Sequence, residues 1–441
     1  MEISRRRLVG AAGAGALAAV LPGGTGQAAA EEPFRALPGP PPKRPNLLVV
    51  LVDDPGWADL SSRGAPEIRT PNLDRLAASG VRFRQSYSAS SVCSPARIGL
   101  YTGRYPGRLA GGLKEPIDAP NAVDGIPAGH PTLGSLVHEA GYSTALIGKW
   151  HCGFLPWFSP TRLGWQEFFG SFSGGMDYFA KLSHHNLHDL YENEVAAHDL
   201  RHYTDLVTER AVEFVRREHR KPWLLNLNYT TPRRPWEGPG DRTVSDELTA
   251  VCRAVVEDLD RAVGQVLDAV RRSGQLHNTL VFVASDNGGA RFSGTRPLGG
   301  GTSTLAEGGM RVPTILSWPG ALRPRQVHDA PVLTMDWTAT FLELAGTRPA
   351  ATHPLDGTSL AGHLFRGEAL PARDLFWRLR GQRALRRGDL KYVRTGTTEA
   401  LYDLAADVRE RANLARKRPE DLAALRSAWE AVEATLVPYP A

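Results

Sequence analysis

Short apolar runs alternate with stretches of helical periodicity through most of the chain. Residues 47–52, 143–147, 223–227, 279–284 and 314–317 are strand-length runs dominated by Leu, Val, Ile, Ala and Phe. Strands covered on both faces read this way, because a parallel sheet carries helices on each side. Between them, Val251, Val255, Leu259, Val263, Val266, Leu267 and Val270 recur at helical spacing. They predict a helix over 246–272, with Ser245 as N-cap, Asp246 and Glu247 in the first turn and Gly274 at the stop. Shorter helices are predicted over 73–78, after Thr70-Pro71-Asn72, and over 133–140. The pattern predicts an α/β fold: a large, mostly parallel sheet sandwiched by helices over 46–347. After about Thr347 the pattern changes. Residues 378–394 alternate polar and apolar in short runs, suggesting hairpins, and 420–436 predict a terminal helix. Residues 348–441 therefore read as a small α+β C-terminal domain. No repeat of solenoid or propeller period is present.

The N-terminus follows another logic. Ser4-Arg5-Arg6-Arg7-Leu8-Val9-Gly10 is a twin-arginine pattern, followed by an Ala/Gly-rich apolar run to Leu21 and a small-residue Ala28-Ala29-Ala30. Residues 1–30 therefore read as a signal for the Tat translocon, and 31–45 as a Pro-rich linker. The apolar run is short and weakly hydrophobic for a bilayer span, and no later segment qualifies, so no stable membrane span is expected. The expected location is secreted, periplasmic or cell-surface.

Composition excludes some classes. Over 441 residues, 42% are apolar and 22% charged, as in an ordinary globular protein. The formal net charge of +5 includes Arg5, Arg6 and Arg7. The remaining mild excess, without a basic stripe, gives no support for nucleic-acid binding. Three cysteines, Cys93, Cys152 and Cys252, are too few and odd in number for a disulfide framework. No spacing suits structural zinc.

Four predicted strands end in polar clusters: Asp53-Asp54, Gly148-Lys149-Trp150-His151, Thr231-Pro232-Arg233-Arg234-Pro235 and Asp286-Asn287-Gly288-Gly289. Ligands of an open parallel sheet bind beyond the carboxyl ends of its strands, so the clusters are expected to converge. Asp53, Asp54, Asp286 and Asn287 offer only oxygen donors, the set preferred by Ca²⁺ or Mg²⁺. Cys93-Ser94-Pro95-Ala96-Arg97 predicts a helix start, with Pro95 in the first turn. There a thiol is activated and an anion stabilised, and Arg97 lies one turn on.

Cys-x-Pro-x-Arg, the Asp-Asp strand end, Gly-Lys-Trp-His and Ser-Asp-Asn-Gly-Gly stand in the order found in type I sulfatases, of the alkaline-phosphatase-like superfamily. The resemblance extends to Tyr203-Thr204-Asp205-Leu206 with Glu209-Arg210-Ala211-Val212, to Leu259-Asp260, and to Glu307-Gly308-Gly309-Met310-Arg311-Val312-Pro313. It continues to Leu401-Tyr402-Asp403-Leu404 and Asn413-Leu414-Ala415. It implies that a formylglycine-generating enzyme oxidises Cys93 to 3-oxoalanine (formylglycine), whose hydrate is the nucleophile. It makes Asp53, Asp54, Asp286, Asn287 and the modified residue 93 the ligands of Ca²⁺, with Mg²⁺ second, and Asp286 an acceptor for the nucleophile's proton. Arg97 holds the residue 93 oxygen, Lys149 the sulfate and residue 93, and His151 takes the proton whose loss expels sulfate. The implied substrate is a sulfated small molecule or glycan.

Two positions depart from the family pattern. Arg233 stands where a histidine is usual, and Thr302 where a lysine precedes Glu-Gly-Gly. Both are candidate substrate-binding positions. Arginine binds sulfate well but is a poor acid, and threonine carries no charge. Three readings stay open: a sulfatase using another acid or favouring good leaving groups; a phosphate or phosphonate ester hydrolase; and a degenerate relative that binds anionic glycans without turnover. His184, His185 and His188 read as a solvated loop or as a source of the replaced acid. Trp157, Trp165 and Trp236 read as core or as a sugar platform.

Overall fold

The computed structural model describes residues 31–37, 43–65, 67–232, 237, 248–290 and 293–440. The signal at 1–30, part of the linker, Arg233, Trp236 and the predicted start of the 246–272 helix lie outside the described residues. In chain order the principal elements are β1 (Asn46–Val52), α1 (Pro71–Ala78), β2 (Val81–Phe83), α2 (Cys93–Thr102), α3 (Leu133–Glu139), β3 (Ser143–Gly148), β4 (Glu167–Gly170), α4 (Tyr203–Arg216) and β5 (Trp223–Asn228). They continue with α5 (Leu248–Arg272), β6 (Thr279–Ser285), α6 (Glu307–Met310), β7 (Thr314–Ser317), β8 (Gln326–His328), α7 (Thr334–Ala345) and α8 (Ala361–Arg366).

The main sheet runs β8-β2-β7-β6-β1-β5-β3-β4, with two-residue strands added at both edges. β6, β1, β5, β3 and β4 are parallel neighbours. β1 shows why its run is apolar at every position. Leu47, Val49 and Leu51 share one core layer with Ile98, Leu100, Leu133 and Trp337 of α2, α3 and α7. Leu48, Val50 and Val52 share the other with Leu73, Leu206, Leu259 and Val263 of α1, α4 and α5. Successive strand residues face opposite sides, so helices on both faces require apolar residues throughout. Each such side chain contributes roughly 1.5–3 kcal/mol.

β7 differs from a parallel expectation. It runs antiparallel to both β6 and β2. The chain leaves β6 at the polar edge and returns from that same edge without a long crossover helix, which forces the reversal.

α1 is anchored from outside. Asp260, on α5, accepts from the Asn72 and Leu73 backbone N–H groups at 3.1 and 2.8 Å and from Asn72 Nδ2 at 2.7 Å. Thr70, by contrast, makes no side-chain cap bond. Asp260→Ala is expected to cost about 2 kcal/mol, read as a lowered urea midpoint.

The predicted C-terminal hairpins form an antiparallel meander, β9 (Asp374–Leu379), β10 (Gln382–Arg387), β11 (Leu390–Thr395) and β12 (Thr398–Asp403), with α9 (Pro419–Glu433) after it. This sheet supports the segment entering α2. Trp377 Nε1 donates to the Ser88 carbonyl at 2.7 Å, and Trp429 Nε1 to the Trp377 carbonyl at 2.8 Å. Behind them, buried Lys391 bridges Glu307 and Glu410, each at 2.9 Å, while Tyr87 Oη donates to the other Glu307 oxygen at 2.7 Å. Among the described residues, no helix is long and apolar enough to cross a membrane.

Candidate active site

The parallel arrangement brings three acidic and cationic strand ends together. Asp53 and Asp54 follow β1, Lys149 and His151 follow β3, and Asp286 and Asn287 follow β6. Backbone bonds continue the sheet past its last paired residues. Asp286 N donates to the Val52 carbonyl at 3.1 Å, Lys149 N to Asn228 at 2.9 Å, and Asp53 N to Thr231 at 3.2 Å. Asp54 and His151 then turn the chain with φ of 63° and 54°, left-handed conformations that are uncommon for non-glycine residues and less so for Asp and His.

All of these groups are buried. Lys149 Nζ donates to Asp53 Oδ2 at 2.6 Å, with both side chains fully enclosed. Arg97 meets Asp286 Oδ2 through Nε at 3.0 Å and Nη2 at 2.9 Å, and its Nη1 donates to the Lys149 carbonyl at 2.9 Å. Three carboxylates, those of Asp53, Asp54 and Asp286, thus gather around the two cations Lys149 and Arg97. Removing charge from water is costly, and the cluster calls for a cation or a proton. Burial pushes the Asp286 carboxyl up, the Asp53 charge adds to it, and Arg97 and Lys149 oppose both, for a result of about 7.

Cys93 is the first residue of α2 and is 2% exposed. Val92 precedes it without a side-chain cap, so the positive helix end is left to what stands near residue 93. Asp53, Asp54 and Cys93 bring ligand atoms within 4.8 Å of one another. Asn287 gives its amide protons to Asp54 Oδ1 at 2.6 Å and the Gly288 carbonyl at 2.9 Å. Its Oδ1 is buried without a hydrogen-bond partner. Among the described residues that carbonyl oxygen is orphaned, and an oxygen donor of this kind beside three clustered carboxylates fits a hard divalent cation. All three cysteines are free thiols.

His151 Nε2 lies 2.9 Å from the Ile117 carbonyl. A carbonyl only accepts, so Nε2 carries hydrogen and Nδ1 is the ring atom able to take a proton. Gly174 makes room for this ring: a Cβ there would stand 2.7 Å from Cε1 and 2.8 Å from Nε2. Nothing in the local sequence marks Ile117 or Gly174, because one acts through its backbone and the other through a missing side chain. Gly288 also acts through close approach. A Cβ at that position would lie 2.0 Å from the Gly308 carbonyl, so the Glu307-Gly308-Gly309 turn packs directly on the Asp286-Asn287 strand end.

Thr302 is partly buried and engaged. Its hydroxyl donates to the Gly288 carbonyl at 2.6 Å and accepts from Asn287 Nδ2 at 3.4 Å. It stands beside Asn287, while Arg233 is outside the described residues. His188 is a structural residue, with Nε2 against the Leu190 and Ala197 carbonyls at 3.0 and 2.9 Å. His184 and His185 reach instead to Asp118, at 2.7 and 3.3 Å. Trp165 belongs to the core, donating to Asn226 Oδ1 at 2.9 Å, whereas Trp157 is 43% exposed.

Residues 45–347 match the family model described as Sulfatase. N-acetylgalactosamine-6-sulfatase of Mus musculus is 32% identical over 362 residues, covering 76% of this chain and 69% of that protein. Arylsulfatase J of Mus musculus is 32% identical over 348 residues, covering 75% of this chain and 58% of that protein. The crystal structure of Ps i-CgsB in complex with k-i-k-neocarrahexaose superposes with a TM-score of 0.83 at 26% identity. That match covers 90% of this chain and 94% of the other.

Proposed function

This chain belongs to the sulfatase family, and from that premise we propose that it is exported and cleaves sulfate esters of sugars at a formylglycine derived from Cys93, beside a bound Ca²⁺. That it is a sulfuric ester hydrolase follows from the family and its relatives. The finer reading is carried by one observation: three buried carboxylates, two buried cations and the Cys93 helix start share one strand-end cluster. The relatives, an N-acetylgalactosamine-6-sulfatase and a protein solved with a neocarrahexaose, support a sulfated glycan as substrate class. Export by the Tat translocon rests on the Ser4–Gly10 pattern.

Asp53, Asp54, Asp286, Asn287 and residue 93 would hold the cation, which supplies Lewis-acid charge to sulfate oxygens, while the aldehyde at 93 supplies a hydrated nucleophile. The chain's own groups set the remaining chemistry. Arg97 is fixed by Asp286 and the Lys149 carbonyl, so its charge stays beside residue 93 at no cost of reorganisation. Lys149, held on Asp53, adds a second positive charge for an anionic substrate. His151, anchored through Nε2, exchanges a proton at Nδ1. Thr302 holds Asn287 and the Gly288 carbonyl beside the cation ligands. Thr302→Val keeps the shape and loses both bonds, and is expected to weaken Ca²⁺ binding about tenfold, measured by calorimetric titration.

The reading is tested by assaying an aryl sulfate, a phosphate monoester and a phosphonate side by side, after a formylglycine-generating enzyme is co-expressed and the residue 93 peptide is weighed by mass spectrometry. Aldehyde at 93 with sulfate preferred is the expected result. An unmodified thiol in an active enzyme overturns the nucleophile. Preference for phosphate or phosphonate moves the substrate class, and inactivity on all three with aldehyde present favours a glycan-binding protein.

A further inference from the structure

The segment that holds His151 continues into a second cluster. Ile117 N donates to Ser94 Oγ at 2.9 Å, and its carbonyl accepts from His151 at 2.9 Å, so this backbone borders residue 93 on one side and the catalytic histidine on the other. The next residue, Asp118, is exposed, and two histidines converge on its carboxylate. His184 Nε2 is 2.7 Å from Oδ1, and His185 Nε2 is 3.3 Å from Oδ2. One ligand atom from each of the three residues lies within 4.8 Å of the others.

We propose that Asp118, His184 and His185 form a transition-metal site of the Zn²⁺ class at the exposed rim of the segment that holds His151. Two imidazoles and one carboxylate are the donors that zinc, copper and nickel favour and that Ca²⁺ does not. Tetrahedral zinc with bonds of about 2.0–2.2 Å keeps its ligand atoms about 3.3 Å apart. The observed 2.7 and 3.3 Å need only small adjustments of exposed side chains. With three protein ligands, the fourth position belongs to water or to an incoming group, as in open zinc sites.

The backbone under the histidines is held firmly. Ser183 N donates to the Leu187 carbonyl and Asn186 N to the Ser183 carbonyl, both at 2.8 Å, and Asp189 N to the Lys181 carbonyl at 2.8 Å. Buried Lys181 ties the base of this turn to the Phe179 and Arg201 carbonyls at 2.9 and 2.6 Å. A fixed turn presenting two adjacent histidines opposite one carboxylate is pre-organised for binding. Another close pair, His328 and His363, has Nε2 atoms 2.8 Å apart but is spent on itself: His363 Nδ1 donates to the Glu368 carbonyl at 2.7 Å, and its Nε2 accepts from His328.

The site is distinct from the Ca²⁺ cluster and does not depend on the proposed reaction, because its readout is binding. Tag-free full-length protein saturated with Ca²⁺ is titrated with Zn²⁺ by calorimetry and with Co²⁺ by visible absorption. One equivalent is expected, with the intense visible bands of tetrahedral cobalt. Loss of even an outer-shell partner costs metal sites about 10–100-fold, so His184→Ala, His185→Ala and Asp118→Asn are each expected to weaken binding at least about tenfold. Asp54→Asn, in the other cluster, is expected to leave the rim equivalent in place. Absence of the cobalt signal, or binding undiminished in a His184→Ala/His185→Ala variant with a wild-type melting curve, overturns the proposal.

Discussion

Cys93→Ala is expected to lower kcat/KM for an aryl sulfate by about 10⁵-fold or more, the scale on which loss of a nucleophile is felt when the rest of its site survives. The same change is expected to cost only about 1 kcal/mol of stability, since it removes one small buried atom. The contrast follows from where the residue sits. Cys93 opens α2, and that helix is held by contacts that do not use the sulfur. The Ile98, Leu100 and Tyr101 side chains are in the core, Arg97 is locked on Asp286, and Trp377 holds the approaching Ser88. Steady-state kinetics and a melting curve on the same preparation check both halves. Cys252→Ala serves as a control and is expected to retain wild-type rates: burial pushes that thiol up to about 11, leaving it inert. A Cys93→Ala enzyme with undiminished turnover would remove residue 93 from the chemistry.

The second large effect is the pH dependence of Ca²⁺ stabilisation. Asp286 is raised from 3.8 to about 7 by burial and by the Asp53 charge. Between those values the folded, metal-stripped protein holds a proton that the unfolded chain has lost. Its stability from this group is therefore greatest at low pH and falls by a few kcal/mol as pH rises from about 4 to about 7. A cation ligand must be deprotonated, so Ca²⁺ affinity moves the opposite way. We expect the apparent affinity to rise close to tenfold per pH unit well below pH 7, about 50-fold from pH 5 to pH 7. At saturating ion the extra stabilisation is about 2.3 kcal/mol. Melting curves of chelator-stripped protein with and without Ca²⁺ at pH 5 and pH 7.5 measure both trends. A Ca²⁺ shift that is equal at both pH values, or larger at pH 5, rules out Asp286 as the proton-linked ligand.

The departure at Thr302 reads differently in the structure, while Arg233 lies outside the described residues. Thr302 is a short side chain bonded to the Asn287-Gly288 turn, a use that a lysine ammonium cannot reproduce as an acceptor from Asn287 Nδ2. Its position thus has a part in holding a cation ligand, whether or not a substrate also touches it. Gly288 permits contact with the Gly308 carbonyl, twenty residues along the chain. His184 and His185 were read as a solvated loop or a proton source. They are exposed but paired, on a carboxylate whose neighbour binds His151.

What the chain alone determined was everything that depends on local periodicity and backbone chemistry. Runs apolar at every position must be strands covered on both faces, so the sheet, its parallel centre and the shared edge of Asp53, Lys149 and Asp286 were legible in advance. So was the helix starting at Cys93, because Pro95 belongs in a first turn, and so were hairpins over 378–394, because polar and apolar residues alternate there in short runs; the full four-stranded extent, 374–403, came from the structure. The partnerships were decided only by the tertiary structure. Lys149 pairs with Asp53 across 96 positions and Arg97 with Asp286 across 189. Four acids and cations at one edge admit several pairings, and packing selects among them. The direction of β7, the hydrogen-bearing nitrogen of His151 and the convergence of His184 and His185 on Asp118 share that origin. Each depends on a backbone carbonyl, a return path or a neighbouring turn brought close by the fold, and none leaves a trace in the residues beside it.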